Sequence, residues 1–253
     1  MSFDERFILN SESKTNIIYN EHLIRYKLAS RFVAGKDVLD IASGSGFGAK
    51  ILKKAGASKV VAVDIDKETV ERAKKDNSLD NIIYKEGNAE SLNEVDNSFD
   101  IISSFETIEH LKNPDKYLSE LKRVVREEGI VFISTPNKEV FREKNPFHFE
   151  EFEKQEFISF LKKYFKSVLI LEQTNGLASC IKGEKRRKES ILAGSKFGKP
   201  LYFIAVCSNK ELKEEYILEK NLVSINSPAL ENLYNNPALK AANSIYRIFK
   251  KIF

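Results

Sequence analysis

The sequence predicts an α/β domain, a mostly parallel sheet with helices on both faces, and three observations carry that prediction. Short apolar runs of strand length alternate with segments of helical spacing from residue 38 to residue 165. Two of the runs, 38–41 and 59–64, enclose one helical segment and complete a strand–helix–strand unit. Between the first run and its helix stand Gly44, Gly46 and Gly48. Such a loop lets the backbone take positive φ and lets a ligand approach its amides, while the next helix turns unpaired N–H groups toward an anion.

Taken in order, the elements begin after a polar stretch, 1–16. Ile18, Leu23, Tyr26, Ala29 and Phe32 are spaced for a helix over about 17–33 that precedes the first strand, and Gly35 ends it. A helix over 49–55 follows the glycine loop. The second strand, 59–64, is followed by Asp66 as N-cap of a helix over 68–75. Strands are expected at 81–86 and 98–105. Asn113-Pro114 starts a helix over 115–126 that Gly129 stops, and 130–135 forms the fifth strand. A long loop, 136–150, leads to a helix over 151–165; long loops inside compact domains are usually functional. The last two strands fall at 168–173 and 201–208. The insertion between them, 174–199, carries the basic run Lys182 to Lys188, which suits a solvated loop or a grip on an anionic acceptor such as a phosphate-bearing sugar.

At 253 residues the chain can bury one core plus an appendage. The domain is expected to span 1–209, followed by a polar linker, 210–237, and a basic amphipathic helix, 238–253, that docks on an anionic membrane surface, on a partner protein or back on its own domain. The formal net charge of +4 does not by itself imply nucleic acid. Cys180 and Cys207 lack metal-ligand spacing and read as buried thiols in a reducing compartment. No secretory leader pattern and no membrane-spanning run is present, so a cytoplasmic protein is expected, peripheral on the inner face of the membrane where 238–253 docks.

The chemistry gathers where strands end. Gly44 to Ala49 fits a dinucleotide fingerprint, with Asp64 as its acid, but Asp40 would repel a pyrophosphate and suits a cationic, amino-acid-bearing ligand. Asp64 can accept from both ribose hydroxyls. Glu106, Glu109 and His110, at i, i+3 and i+4, are expected on one face of a helical turn. His148, in the long loop, starts from the same end of the sheet.

Asp40 to Gly46 resembles motif I of the class I S-adenosylmethionine-dependent methyltransferases, with Ala42 in place of the first glycine, and Gly87-Asn88-Ala89 resembles their adenine-binding turn. The resemblance implies a Rossmann-like, seven-stranded, mostly parallel sheet and S-adenosylmethionine as cofactor. It implies a cofactor site of Asp40, Ala42, Gly44, Gly46, Asp64, Ile65, Asn88, Ala89 and Phe105. Arg25 or Tyr26 would reach the methionine part, or else be a surface arginine and a packed tyrosine. The segments 104–111, 133–138 and 145–148, with Glu5–Phe7 and Glu21–Tyr26, resemble methyltransferases found with surface-glycan biosynthesis enzymes. The Glu-x-x-Glu-His turn resembles the metal-binding element of ubiquinone-pathway O-methyltransferases and of small-RNA 2′-O-methyltransferases.

Three roles for this turn stay open. Glu106, Glu109, His110 and His148 hold Mg²⁺ or Mn²⁺; His110 or His148, with Glu109, supplies a metal-free general base; or all four are structural. The function implied is O-methylation of a sugar or glycan-precursor hydroxyl, or of a terminal phosphate. A metal-dependent RNA 2′-O-methyltransferase and a non-catalytic cofactor-binding partner in a glycan-synthesis complex are the alternatives. Nucleic acid is not the expected partner, because the chain has one short basic cluster and no added RNA-binding domain.

Overall fold

The computed structural model describes residues 17–141, 145–175, 179–183, 199–213 and 217. The expectations for 1–16, for most of the basic insertion, for the linker beyond 217 and for the helix at 238–253 lie outside the described residues.

Strands β1 (Asp37–Ile41), β2 (Lys59–Asp64), β3 (Ile82–Glu86), β4 (Phe99–Phe105) and β5 (Val125–Pro136) run parallel in the order β3-β2-β1-β4-β5. The sheet continues from β5 through three antiparallel strands, β8 (Tyr202–Ser208), β6 (Ser167–Asn175) and β7 (Ser179–Gly183). The seven expected strands are all present. β7 is an eighth, formed where the basic insertion begins and paired with the end of β6.

Both faces of the sheet are covered, which is why the central strands read as continuous apolar runs. Val38, Val60 and Ala62 pack under α1 (Ile17–Ala29), α2 (Phe47–Lys54) and α3 (Lys67–Asp76). Leu39, Val61 and Val63 face the other way, toward α4 (Pro114–Val124) and α5 (Lys154–Leu161). The caps follow the sequence: the Asp66 carboxylate accepts from Thr69 N at 2.7 Å and the Asn113 side chain from Lys116 N at 3.0 Å.

Boundaries differ in three places. α1 ends at Ala29, and Ser30–Phe32 tightens into a 3₁₀ turn. α4 ends at Val124 rather than near Gly129, and β5 begins at once, with Val125 paired to Phe99. Arg126 there bonds the carboxylates of Asp100 and Asp37, and Gly129 sits inside the strand, where a Cβ would lie 2.5 Å from the Val125 side chain. α5 starts at Lys154 because Glu153 and Glu156 form a capping box, each side chain accepting from the other's backbone amide.

The parallel order reverses between β1 and β4. Ligands of open α/β sheets bind outside the carboxyl ends of the strands at such a switch point. The glycine loop follows β1, and the Glu106–His110 turn follows β4.

Candidate active site

The loop after β1 is held by Asp64. Its carboxylate accepts from Gly44 N at 2.8 Å and from Asp66 N at 3.0 Å, so one acid fixes the glycine loop and the start of α3 together. Ala42, Gly44 and Gly46 all take left-handed backbone, with φ of 52°, 53° and 76°. A Cβ at Gly44 would meet nothing within 4 Å, so the loop opens onto free space there. Gly46 and Gly48 serve packing instead, since a Cβ would lie 2.6 Å from the Tyr84 ring at the first and 2.0 Å from the Tyr26 ring at the second.

Asp40 lies beneath this loop and is fully buried. Ser103 Oγ donates to it at 2.6 Å and Tyr26 OH at 3.1 Å. Burial pushes its carboxyl up to about 7; the two hydroxyl donors oppose that shift, and the charge of Asp64 adds to it. The Tyr26 ring stands edge-on to Phe47 and Phe105, so α1 is seated on the glycine loop through one aromatic cluster. Ile65, beside Asp64, is 70% exposed and offers an apolar face to a planar base. Asn88 is exposed, but its side-chain oxygen accepts from Glu90 N at 2.8 Å. The acceptor assigned to adenine therefore caps its own turn, and the Asn88 side-chain NH₂ and the neighbouring Ala89 are left at that edge.

Arg25, one of the two candidates on α1, is fully buried and not a surface residue. Its Nε donates to Gln173 Oε1 at 2.7 Å, its guanidinium lies 4.2 Å from the Tyr202 ring centroid, and Nη1 is 3.4 Å from Glu106 Oε1. Neither Nη1 nor Nη2 has a hydrogen-bond partner among the described residues. Buried guanidinium N–H groups without acceptors mark a place for an anionic ligand group.

The turn after β4 corrects the sequence reading. Glu106 is not on a helical turn with Glu109 and His110: it takes left-handed backbone, φ 51°, and only Ile108–His110 is helical, as a single 3₁₀ turn. Ser134 explains the twist, because its hydroxyl accepts from Glu106 N at 3.0 Å and donates to Glu106 Oε1 at 2.6 Å. Glu106 thus faces Arg25 and is withdrawn from the other three expected ligands.

Those three do come together. One ligand atom each from Glu109, His110 and His148 lies within 4.8 Å of the others, and the two imidazoles meet edge to face with centroids 4.8 Å apart. The long loop is tied to the turn by its backbone, Phe149 N donating to Glu109 O at 2.8 Å. Both Glu109 carboxylate oxygens are buried without a partner among the described residues. Burial first, and then the charge of Glu106, holds this acid well above the usual carboxylate range. Glu109 and His110 offer two donors to a divalent cation, while both ring nitrogens of His148 are already hydrogen-bonded.

The hydrogen bonds assign the histidine protons. His110 Nδ1 lies 3.1 Å from the Phe147 carbonyl oxygen, so Nδ1 donates and Nε2 keeps its lone pair. His148 Nε2 accepts from the Asn145 amide at 3.1 Å, and Nδ1 donates to Glu151 Oε1 at 2.8 Å. Ser103, Ser134, Gln173, Tyr202 and Glu151 escaped the sequence reading. Only Glu151 left a signal there, standing three residues after His148.

Residues 39–133 match the Methyltransferase domain family, Methyltransf_11. A Mycolicibacterium smegmatis protein named "Probable S-adenosylmethionine-dependent methyltransferase" is 30% identical over 155 residues, 59% of each chain. The mitochondrial ubiquinone biosynthesis O-methyltransferase of Dictyostelium discoideum is 33% identical over 133 residues, 48% of this chain and 41% of that protein. The chain thus spans about half the length of these relatives. Among solved structures, a SAM-dependent methyltransferase from Aquifex aeolicus superposes with a TM-score of 0.53 at 22% identity, covering 78% of this chain and 93% of that one. The matched segment, the strand order and the glycine loop clipped by Asp64 support a class I S-adenosylmethionine-dependent methyltransferase domain in this chain.

Proposed function

We propose that the protein transfers the methyl group of S-adenosylmethionine to a hydroxyl oxygen of a sugar or glycan precursor. The observation that carries the oxygen acceptor is the pair of His110, in the turn after β4, and His148, in the loop after β5, whose rings meet edge to face. Asp64 has lone pairs left for the ribose hydroxyls, Ile65 lies where the base would stack, and Arg25 has N–H groups free for the carboxylate of the methionine part.

The acceptor hydroxyl gives its proton to His110 Nε2, the lone pair that the Phe147 contact leaves available. The oxygen attacks the methyl carbon in line; the C–O bond forms as the C–S bond breaks, and the sulfonium becomes a neutral thioether. His148, whose ring nitrogens are taken by Glu151 and Asn145, packs edge to face against His110 and steadies that ring. A divalent ion held by Glu109 and His110 would take the place of that base and lower the pKa of such a hydroxyl. The basic stripe at 238–253 supports work at an anionic membrane surface on the cytoplasmic side, and among the described residues no helix is long and apolar enough to cross a membrane.

Calorimetric titration with S-adenosylmethionine and S-adenosylhomocysteine, with and without Mg²⁺ or Mn²⁺, tests the reading. Micromolar binding is expected, and absence of binding to either would refute it.

A further inference from the structure

Beyond the histidine pair lies a cleft of about 620 Å³, a size typical of small-molecule sites. His148 is on its wall, with the His110 ring 4.8 Å behind it. Its apolar part is aromatic: Phe152 and Phe160 stack at 5.7 Å and 18°, and Phe149 stands at the mouth with 62% of its surface exposed. Among the described lining residues its polar part is acidic, with Glu150, Glu151 and Glu156 against Lys138, which already faces Glu156 at 3.7 Å; outside the lining, the Lys112 ammonium lies 5.8 Å from the Phe149 ring centroid.

Recognition of a phosphate needs the opposite arrangement, arginine or lysine donors or a free helix N-terminus. Among the described residues α5 is the helix that starts beside this cleft, and the carboxylates of Glu153 and Glu156 already close its first turn. A pyranose ring suits what remains. Its C–H face packs on aromatic carbon, and its hydroxyls, or an ammonium on the ring, donate to carboxylates.

We infer that this cleft is the acceptor site and that it takes an uncharged or amino-substituted sugar, not a phosphorylated sugar or a polynucleotide. The inference rests on the methyltransferase reading and narrows it.

Saturation-transfer NMR on the full chain with S-adenosylhomocysteine bound tests it. The probes are methyl β-glucopyranoside, methyl glucosaminide, glucose 6-phosphate and a single-stranded RNA hexamer. Ring-proton signals are expected from the first two, with binding of the phosphate and the RNA at least about tenfold weaker, the worth of one charge-assisted hydrogen bond. Two exposed positions serve as variants. Phe149→Ala should weaken both glycosides several-fold, and Glu150→Lys should weaken the glucosaminide and improve the phosphate by about tenfold. Equal or tighter binding of phosphate or RNA, glycoside signals untouched by both variants, or no glycoside signal while S-adenosylhomocysteine binds would each overturn this inference alone. Failure to bind S-adenosylhomocysteine would overturn the methyltransferase reading and this inference with it.

Discussion

Asp40→Asn should stabilise the protein at alkaline pH and much less at acidic pH. Asp40 is fully buried, two hydroxyls are its hydrogen-bond donors, and its other charged neighbour is the like-charged Asp64. Its carboxyl sits at about 7 against an ordinary 3.8, a difference worth roughly 4 kcal/mol at about 1.4 kcal/mol per pH unit. The sign follows from where the proton is held. The folded protein keeps it up to pH about 7, whereas the unfolded chain releases it near 3.8, so this group's contribution to stability falls as pH rises between those values and is level above them. Asn keeps an acceptor oxygen for Ser103 and carries no charge, so the variant escapes the fall. Urea unfolding of both proteins at pH 5 and pH 8 isolates the effect, because every other titrating group cancels in the comparison. The advantage of the variant should grow by about 3 kcal/mol between the two pH values. An advantage that is the same at both would show that Asp40 titrates normally and that its burial costs nothing.

Three further outcomes can be checked. Gly48→Ala puts a Cβ 2.0 Å from the Tyr26 ring, so it should cost about 2 kcal/mol or more in urea unfolding, and far less in a Tyr26→Ala background; equal costs would separate the two residues. Ser134→Ala removes the hydroxyl that both accepts from and donates to Glu106, so a loss of about 1–3 kcal/mol is expected, and a neutral result would mean that the left-handed turn holds itself. With an acceptor in hand, His110→Gln should lower kcat by about a hundredfold or more while S-adenosylhomocysteine affinity is kept. An unchanged kcat would take His110 out of proton transfer.

The sequence made the parallel half of the sheet legible because those strands are buried on both faces and their caps are local. Asp66 and Asn113 start helices through bonds to amides three residues away, and such bonds can be read from neighbours alone. The misreadings share a different cause. Glu106 was placed with Glu109 by spacing, but Ser134, on another strand, decides where it turns. Arg25 could pass for a surface residue because its partners, Gln173 and Tyr202, lie far along the chain. Gly129 looked like a helix stop, whereas contacts with Val125 and with Asp100 on the adjacent strand place it inside β5. Pairing between distant residues leaves no periodicity, so only the assembled fold reveals it.

The anchoring of α1 sets an order of events during synthesis. The helix leaves the ribosome first, yet Arg25 and Glu21 are secured by Gln173 and Tyr202, residues 148 and 181 positions later. Until the final antiparallel strand pairs, the guanidinium has neither the amide that orients it nor the ring beneath it. A nascent chain can therefore close its parallel sheet and glycine loop well before α1 is anchored, because that anchoring waits for β8.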